Sequence, residues 1–171
     1  MRRLVAAAAV VTIAVATVVV PLAGLDTTAK ALPPDIHAVT VAAADFHPVL
    51  DSTLFANGGD SVRSNSAMYA RIPFPDENVL VTSIKVRAFD NSGPGNLCTR
   101  LRRSHPATGT DIDLTNLLCT TTTAAEDPQT MFSTVFTPVG KHHVAYLHAS
   151  FGHYSNLLEL YGATVFYRIT E

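Results

Sequence analysis

Two cysteines, seven histidines and a few oxygen-rich turns are the residues of this 171-residue chain whose chemistry reaches beyond packing. Cys98 and Cys119 both lie in "LCTRLRRSHPATGTDIDLTNLLCT", residues 97–120, each inside a short run with the composition of a β-strand. Three chemistries suit such a pair: a metal site, a thiol nucleophile with a helper, or a disulfide. Zinc asks for about four ligands at short spacing, and the sequence has no C-x-x-C. If the two runs form a hairpin with the cysteines opposite each other, paired residue numbers sum to 217. Directly opposite residues have Cα atoms ~4.5–5.5 Å apart, a separation that a disulfide spans. The same register sets Ser104 against Asp113, Arg100 against Leu117 and Leu101 against Asn116, with a bulge or a one-residue offset expected near 115–117. A staple is the expectation. Closing a loop of this size stabilises a fold by about 3 kcal/mol, mostly by restricting the unfolded chain.

The segment "KHHVAYLHASFGHYS" carries His142, His143, His148 and His153. On one strand His142 and His148 share a face, but six residues at ~3.3 Å each separate them by about 20 Å, beyond the reach of a single ion. His143 faces the other way, among Ala145, Leu147 and Ala149. Only His148 and His153 approach each other, across a bend, so no metal or cofactor site is expected. "DNSGPGN", residues 90–96, has no acid after Asp90 and places Leu101 where an EF-hand needs its twelfth-position glutamate. These are the residues of a tight turn, with calcium as the alternative reading. "GGDSVRSNS", residues 58–66, shares G-D-S with one class of serine esterase, but that site needs a strand-to-helix junction and a late D-x-x-H, neither of which the sequence offers. No catalytic residue is assigned. The runner-up reading is a hydrolase with a loop-built site drawn from Asp60, His148 and His153.

Binding residues are easier to nominate. Arg100 and Arg102 share a strand face, either as a charged edge that discourages sheet association or as a contact for an anion or acidic glycan. Tryptophan is absent, so an aromatic platform for a sugar falls to Tyr69, Tyr146 or Tyr154. His153 and Tyr154 stand in the turn "FGHYSN", residues 151–156, where bulky aromatics exceed what a turn requires. With His148 they are the candidate ligand contacts. The competing reading has Tyr154 folded over the sheet edge as a plug.

The elements that must hold these residues read as strands throughout. "HAVTVAAADF", "AMYARIPF", "LVTSIKVRAFD", "LCTRLRRS", "LTNLLCTTTT", "TMFSTVFT", "HHVAYLHASF" and "LLELYGATVFYRI" are short and alternate with period two. Within "LVTSIKVRAFD", Leu80, Ile84, Val86 and Ala88 fall on one face, and Ser83, Lys85 and Arg87 on the other. Apolar parity reverses at Gly162, between Leu160 and Ala163, which predicts a β-bulge. Turn chemistry fills the gaps. About eight strands in residues 32–171 predict an all-β, antiparallel, jelly-roll-like β-sandwich in a single domain.

Residues 1–31 have the layout of a signal-peptide helix: a basic "MRR", an apolar run to Val20, and "AKA" before Leu32. The apolar run falls short of the ~20 residues of a spanning helix, so no membrane partner is expected after cleavage. Residues 32–171 carry 9 basic and 13 acidic residues, net −4. That balance argues against nucleic acid, which asks for clustered positive charge. The order "ADFHP", "IPFP", "VTSIKVRAFDNSGPGNLCTRLRR", "HHVAYLHASF", "LELYGATVFYR" resembles a set of small secreted bacterial β-sandwich proteins to which no activity is assigned. The resemblance implies the fold and carries over no site residue. The expectation is a secreted, non-enzymatic module acting on an extracellular or cell-wall ligand.

Overall fold

Val, Ile, Thr, Phe and Tyr at period two favour strands, because each strand then buries one face and leaves the other in water. In a computed structural model, which describes residues 35–50, 55–75, 77–91, 96–121, 127–153, 155 and 157–171, twelve strands follow one another. They are β1 (His37–Ala42), β2 (His47–Pro48), β3 (Phe55–Asn57), β4 (Val62–Ser64), β5 (Ala67–Arg71) and β6 (Asn78–Asp90), then β7 (Leu97–His105), β8 (Thr110–Asp113), β9 (Leu118–Cys119), β10 (Gln129–Val139), β11 (Val144–Phe151) and β12 (Leu158–Thr170). The chain divides between Ala31 and Leu32, and residues 1–31, the expected signal peptide, lie outside the described residues. Twelve strands among the described residues exceed the expected eight by β2, β3, β4 and β8, which have two to four residues each, too few to display a period.

Two six-stranded antiparallel sheets face each other. The first runs β10-β6-β12-β4-β3 with β1 also on β12; the second runs β2-β5-β11-β7-β8 with β9 also on β7. The chain winds between them repeatedly, which gives the expected jelly-roll-like sandwich. Ile84, Val86, Leu158, Leu160 and Val165 of the first sheet form one core with Met68, Leu97, Leu101 and Leu147 of the second. Each such side chain contributes roughly 1.5–3 kcal/mol on burial. Among the described residues no helix is long and apolar enough to cross a membrane.

Two irregularities set which residues face out. At Gly162 the pairing of β12 with β6 jumps from Leu160↔Ala88 to Gly162↔Arg87, leaving Tyr161 unpaired in that ladder. This is the expected bulge. Gly162 has φ 135°, and a Cβ there would stand 2.5 Å from the carbonyl oxygen of Val41 on β1. Further along, Thr82 is skipped between Ser83↔Phe166 and Val81↔Tyr167. That second bulge corrects the expected face of Leu80: Val79 and Val81 are buried beside Ile84, Val86 and Ala88, while Leu80 turns outward.

Cys98 and Cys119 form a disulfide, opposite each other as the hairpin register requires. The rest of that register is corrected. Arg102 pairs with Asp113 and Ser104 with Asp111, so β8 is in a register summing to 215, two residues from the 217 of β9. Neither Arg100↔Leu117 nor Leu101↔Asn116 forms. Two threonines make the slip tolerable. The backbone N–H of Leu101 donates to Thr115 Oγ1 at 2.9 Å, and that of Leu97 to Thr120 Oγ1 at 3.0 Å. Hydroxyls thus take the place of ladder carbonyls where the strand is broken. The Thr120 hydroxyl in turn donates to the buried carboxylate of Asp90, on the opposite sheet.

Two stability measurements test this account. Thr120→Val withdraws a donor from a buried carboxylate and an acceptor from Leu97, and is expected to lower unfolding free energy by about 3 kcal/mol, read from the urea midpoint at constant m. A loss under about 0.5 kcal/mol would mean that the bond has little effect. Gly162→Ala is expected to cost at least about 2 kcal/mol, since both φ and the approach of β1 exclude a Cβ; an unchanged melting temperature would contradict that packing.

Candidate functional site

The outer face of the second sheet is assembled from residues two apart on neighbouring strands. β5, β11 and β7 lie side by side, flanked by β2 and by β8. Strand pairing puts His47, Tyr69, His148 and Arg100 in one row across the sheet. The next row holds Arg71, Tyr146, Arg102 and Asp113. Val144, Ser104 and Asp111 make a third row, and Ser150, Cys98 and Cys119 a fourth on the opposite flank. Rows stand about 7 Å apart, two residues of strand rise. The intervening residues, Met68, Ala70, Leu101, Leu147 and Ala149, point into the core. Tyr69, Arg71, Tyr146 and His148, with Val49, Val144, Ser104, Arg102 and Asp111, enclose a shallow cavity of about 500 Å³.

Charge on this face is largely paired off. Asp113 accepts hydrogen bonds from Arg100 Nη1 and Arg102 Nε, each at 2.7 Å. Asp111 stands 3.7 Å from Arg102 Nη1. The Arg102 guanidinium also lies 5.7 Å from the centre of the Tyr146 ring, a cation–π distance. Burial raises the Tyr146 phenol above its ordinary pKa, helped by the Asp111 carboxylate beside its hydroxyl. The phenol therefore stays protonated. His148 moves the other way: burial, then the positive charges of Arg100 and Arg102, hold its pKa below the ordinary 6.5, with Asp113 opposing in part. Its Nδ1 is buried and meets no hydrogen-bond partner among the described residues. Tyr69 is 43% exposed, its ring centre 6.2 Å from that of His47.

This arrangement can hold a ligand by a flat aromatic surface, a neutral imidazole, a fixed phenol and a guanidinium. It groups apolar area with a few converging polar groups, the composition of a binding cavity. A cleft of similar size, about 470 Å³, runs between residues 113–117 and 133–137, but its polar lining is mostly hydroxyl and amide with Asp113 as the one charged group.

The candidate residues read from sequence are distributed unevenly. His148 sits at the centre of the face, and Tyr69 and Tyr146 flank it. His153 lies in the bend beyond β11 and is half-buried. Tyr154 lies outside the described residues, so the turn it belongs to is described only in part. Asp60 belongs to the turn between β3 and β4 and lines a separate cavity of about 420 Å³ with Lys85, Arg87 and Tyr161, on the outer face of the first sheet. Asp60, His148 and His153 therefore do not converge. His142 lies in the turn before β11 rather than on the strand, so it shares no face with His148. His143 is half-buried and packs its ring edge-on against His105, centres 5.1 Å apart, with its Nδ1 meeting no hydrogen-bond partner among the described residues. Among the described residues no three histidine, cysteine or acidic side chains gather as metal ligands. Asp90 is buried beside Thr120, and residues 92–95 of its turn lie outside the described residues.

Sequence reading missed Arg71, Asp111 and Asp113. A signal existed for the two acids: "DID" has the same period as "RLR" across a turn with Gly109, so opposite charges were placed to meet on one face. Arg71 ends a strand and carried no such mark.

No protein-family model matches the chain, and no curated protein matches it. Solved structures with a similar course include the CBM22-1–GH10 modules of endo-1,4-β-D-xylanase 10B from Clostridium thermocellum, complexed with xylohexaose. That match has a TM-score of 0.47 at 11% identity, over 77% of this chain and 27% of that one, so this chain spans about a quarter of its length. Eiger TNF from S. frugiperda gives 0.42 at 12% identity over 78% of this chain and 86% of that one. Murine APRIL gives 0.38 at 10% identity, over 78% and 98%. The sandwich assignment rests on the strand ladders and not on these likenesses.

Proposed function

We propose that residues 32–171 act as a secreted, non-enzymatic binding module, of the kind the sequence resembles, whose ligand lies across the outer face of the second sheet. The observation that carries this reading is the exposed Tyr69 ring beside His148, Tyr146 and Arg71 on two hydrogen-bonded strands, β5 and β11. An aromatic ring with a polar tip suits a ligand that is apolar on its faces and hydroxylated at its rim, which describes a saccharide. Strands position these groups more rigidly than loops do, so little ordering cost opposes binding. The dispersal of Asp60, His148 and His153 over two faces favours binding over the hydrolase alternative. The disulfide is compatible with an oxidising, extracellular setting.

Titration of immobilised polysaccharides and isolated cell walls with purified protein is the direct test. Tyr69→Ala is expected to weaken binding at least about tenfold, ~1.4 kcal/mol, with melting temperature unchanged because the ring is exposed. Undiminished binding by Tyr69→Ala and by His148→Ala would remove this face from the interaction.

His148 adds a pH dependence of known sign. The unfolded chain takes up a proton on this histidine near 6.5, and the folded chain only at lower pH. Its contribution to stability is therefore complete above 6.5 and is lost as pH falls through the folded value. Melting temperature is expected to fall from pH 7.5 to pH 5 more steeply in the wild type than in His148→Gln; equal slopes would contradict a depressed histidine.

A further inference from the structure

We infer that the ligand of this face carries a carboxylate, and that Arg71 receives it; the inference rests on the binding reading above and narrows its ligand to acidic sugars. Three guanidinium groups belong to the face. Arg100 and Arg102 share Asp113 at 2.7 Å each, and Arg102 also has Asp111 within 3.7 Å. Two carboxylates therefore neutralise two cations. Arg71 forms no ion pair or hydrogen bond through its side chain among the described residues and is exposed. Two acids line cavities adjoining it, Asp45 and Glu77. Neither reaches it, and Asp45 is held by the backbone N–H of Ala42 at 2.9 Å.

Position makes this free cation more than a solvated surface charge. Arg71 follows Tyr69 by two residues on β5, so both side chains leave the same face about 7 Å apart. Its cross-strand neighbour is Tyr146. A hexuronic acid suits that pair: its ring lies on Tyr69 while the carboxylate projects from the ring edge towards the guanidinium fork, which matches a carboxylate with two parallel N–H donors. Asp111 and Asp113 of β8, on the opposite flank, are taken up by Arg100 and Arg102, so that flank offers a carboxylate no unpaired guanidinium among the described residues. His148, neutral through its depressed pKa, adds no competing positive charge and leaves hydrogen bonding to hydroxyls open. Among the described residues the unpaired guanidinium of this face is thus Arg71, and not the Arg100–Arg102 pair that the sequence suggested for an acidic glycan.

The test compares oligosaccharides of galacturonic, glucuronic and mannuronic acid, each beside its methyl ester, with dextran sulfate as a generic polyanion. The wild type is expected to bind at least one acid form tenfold or more tightly than the matching ester, with affinity falling as salt rises. Arg71→Gln should erase the difference between acid and ester, Arg71→Lys should keep part of it, and Tyr69→Ala should weaken acid and ester alike. Equal binding of acid and ester, both lost in Tyr69→Ala, overturns the carboxylate assignment while leaving the face as the binding site. Dextran sulfate bound as tightly as the uronides, with Arg71→Gln unaffected, overturns it in favour of a diffuse charge effect. No binding of any uronide by the wild type overturns it as well.

Discussion

A carboxylate inside a β-sandwich needs donors, and Asp90 receives one from the hydroxyl of Thr120. Asp90 ends β6 in the first sheet; Thr120 follows β9 and holds the edge of β7 through Leu97. One hydroxyl therefore ties the two layers at a fixed place. Its neighbour Cys119 turns to the opposite side and closes the disulfide with Cys98. Residues 119 and 120 are thus pinned outside by a covalent bond and inside by a charged hydrogen bond. Because side chains alternate at period two, fixing one pair on β7 fixes the facing of every residue along it.

That anchoring reaches the binding face through a two-residue slip. In a hairpin that kept the cysteine register, Asp113 would stand opposite Ser104, and Arg102 opposite Thr115. The break at residues 114–117, closed by the Thr115 hydroxyl on Leu101 N–H, moves Asp113 opposite Arg102 and within reach of Arg100. Both arginines are then neutralised, and Arg102 is held over the Tyr146 ring. The slip decides where net positive charge remains on the face. Among the described residues it leaves the unpaired guanidinium on β5, at Arg71.

Long runs were legible in the sequence and short ones were not. The alternation of β6, β11 and β12 is plain because each is eight residues or longer. The reversal at Gly162 could be read because apolar residues stand on both sides of it. The second reversal, at Thr82, escaped since Leu80 and Ile84 keep an apparently unbroken parity across it. The cysteine pair was readable because its chemistry demands an opposite position; the registers beyond it depend on two threonine hydroxyls that no periodicity announces. The binding face was legible in pieces. Tyr69, Tyr146 and His148 were each nominated, but sheet order joins them: β5 and β11 are separated by more than seventy residues of chain and meet only once the sandwich has formed.

Placing the site on strands instead of loops has a consequence for how this surface tolerates change. Tyr69 lies between Met68 and Ala70, and His148 between Leu147 and Ala149; in each case the flanking residues are buried. Adjacent positions thus serve different ends, one set exposed to a ligand and the other filling the core. Substitution at Leu147 or Met68 opens a cavity and costs about 2–5 kcal/mol, while substitution at Tyr69 leaves the interior untouched. The face can therefore be re-cut for a different ligand without rebuilding the fold, so long as Thr120 and the disulfide keep the register. A one-residue shift of β7 would do the opposite, turning Leu101 outward and Arg100 and Arg102 into the core. The pins at residues 119 and 120 are what make that shift unavailable.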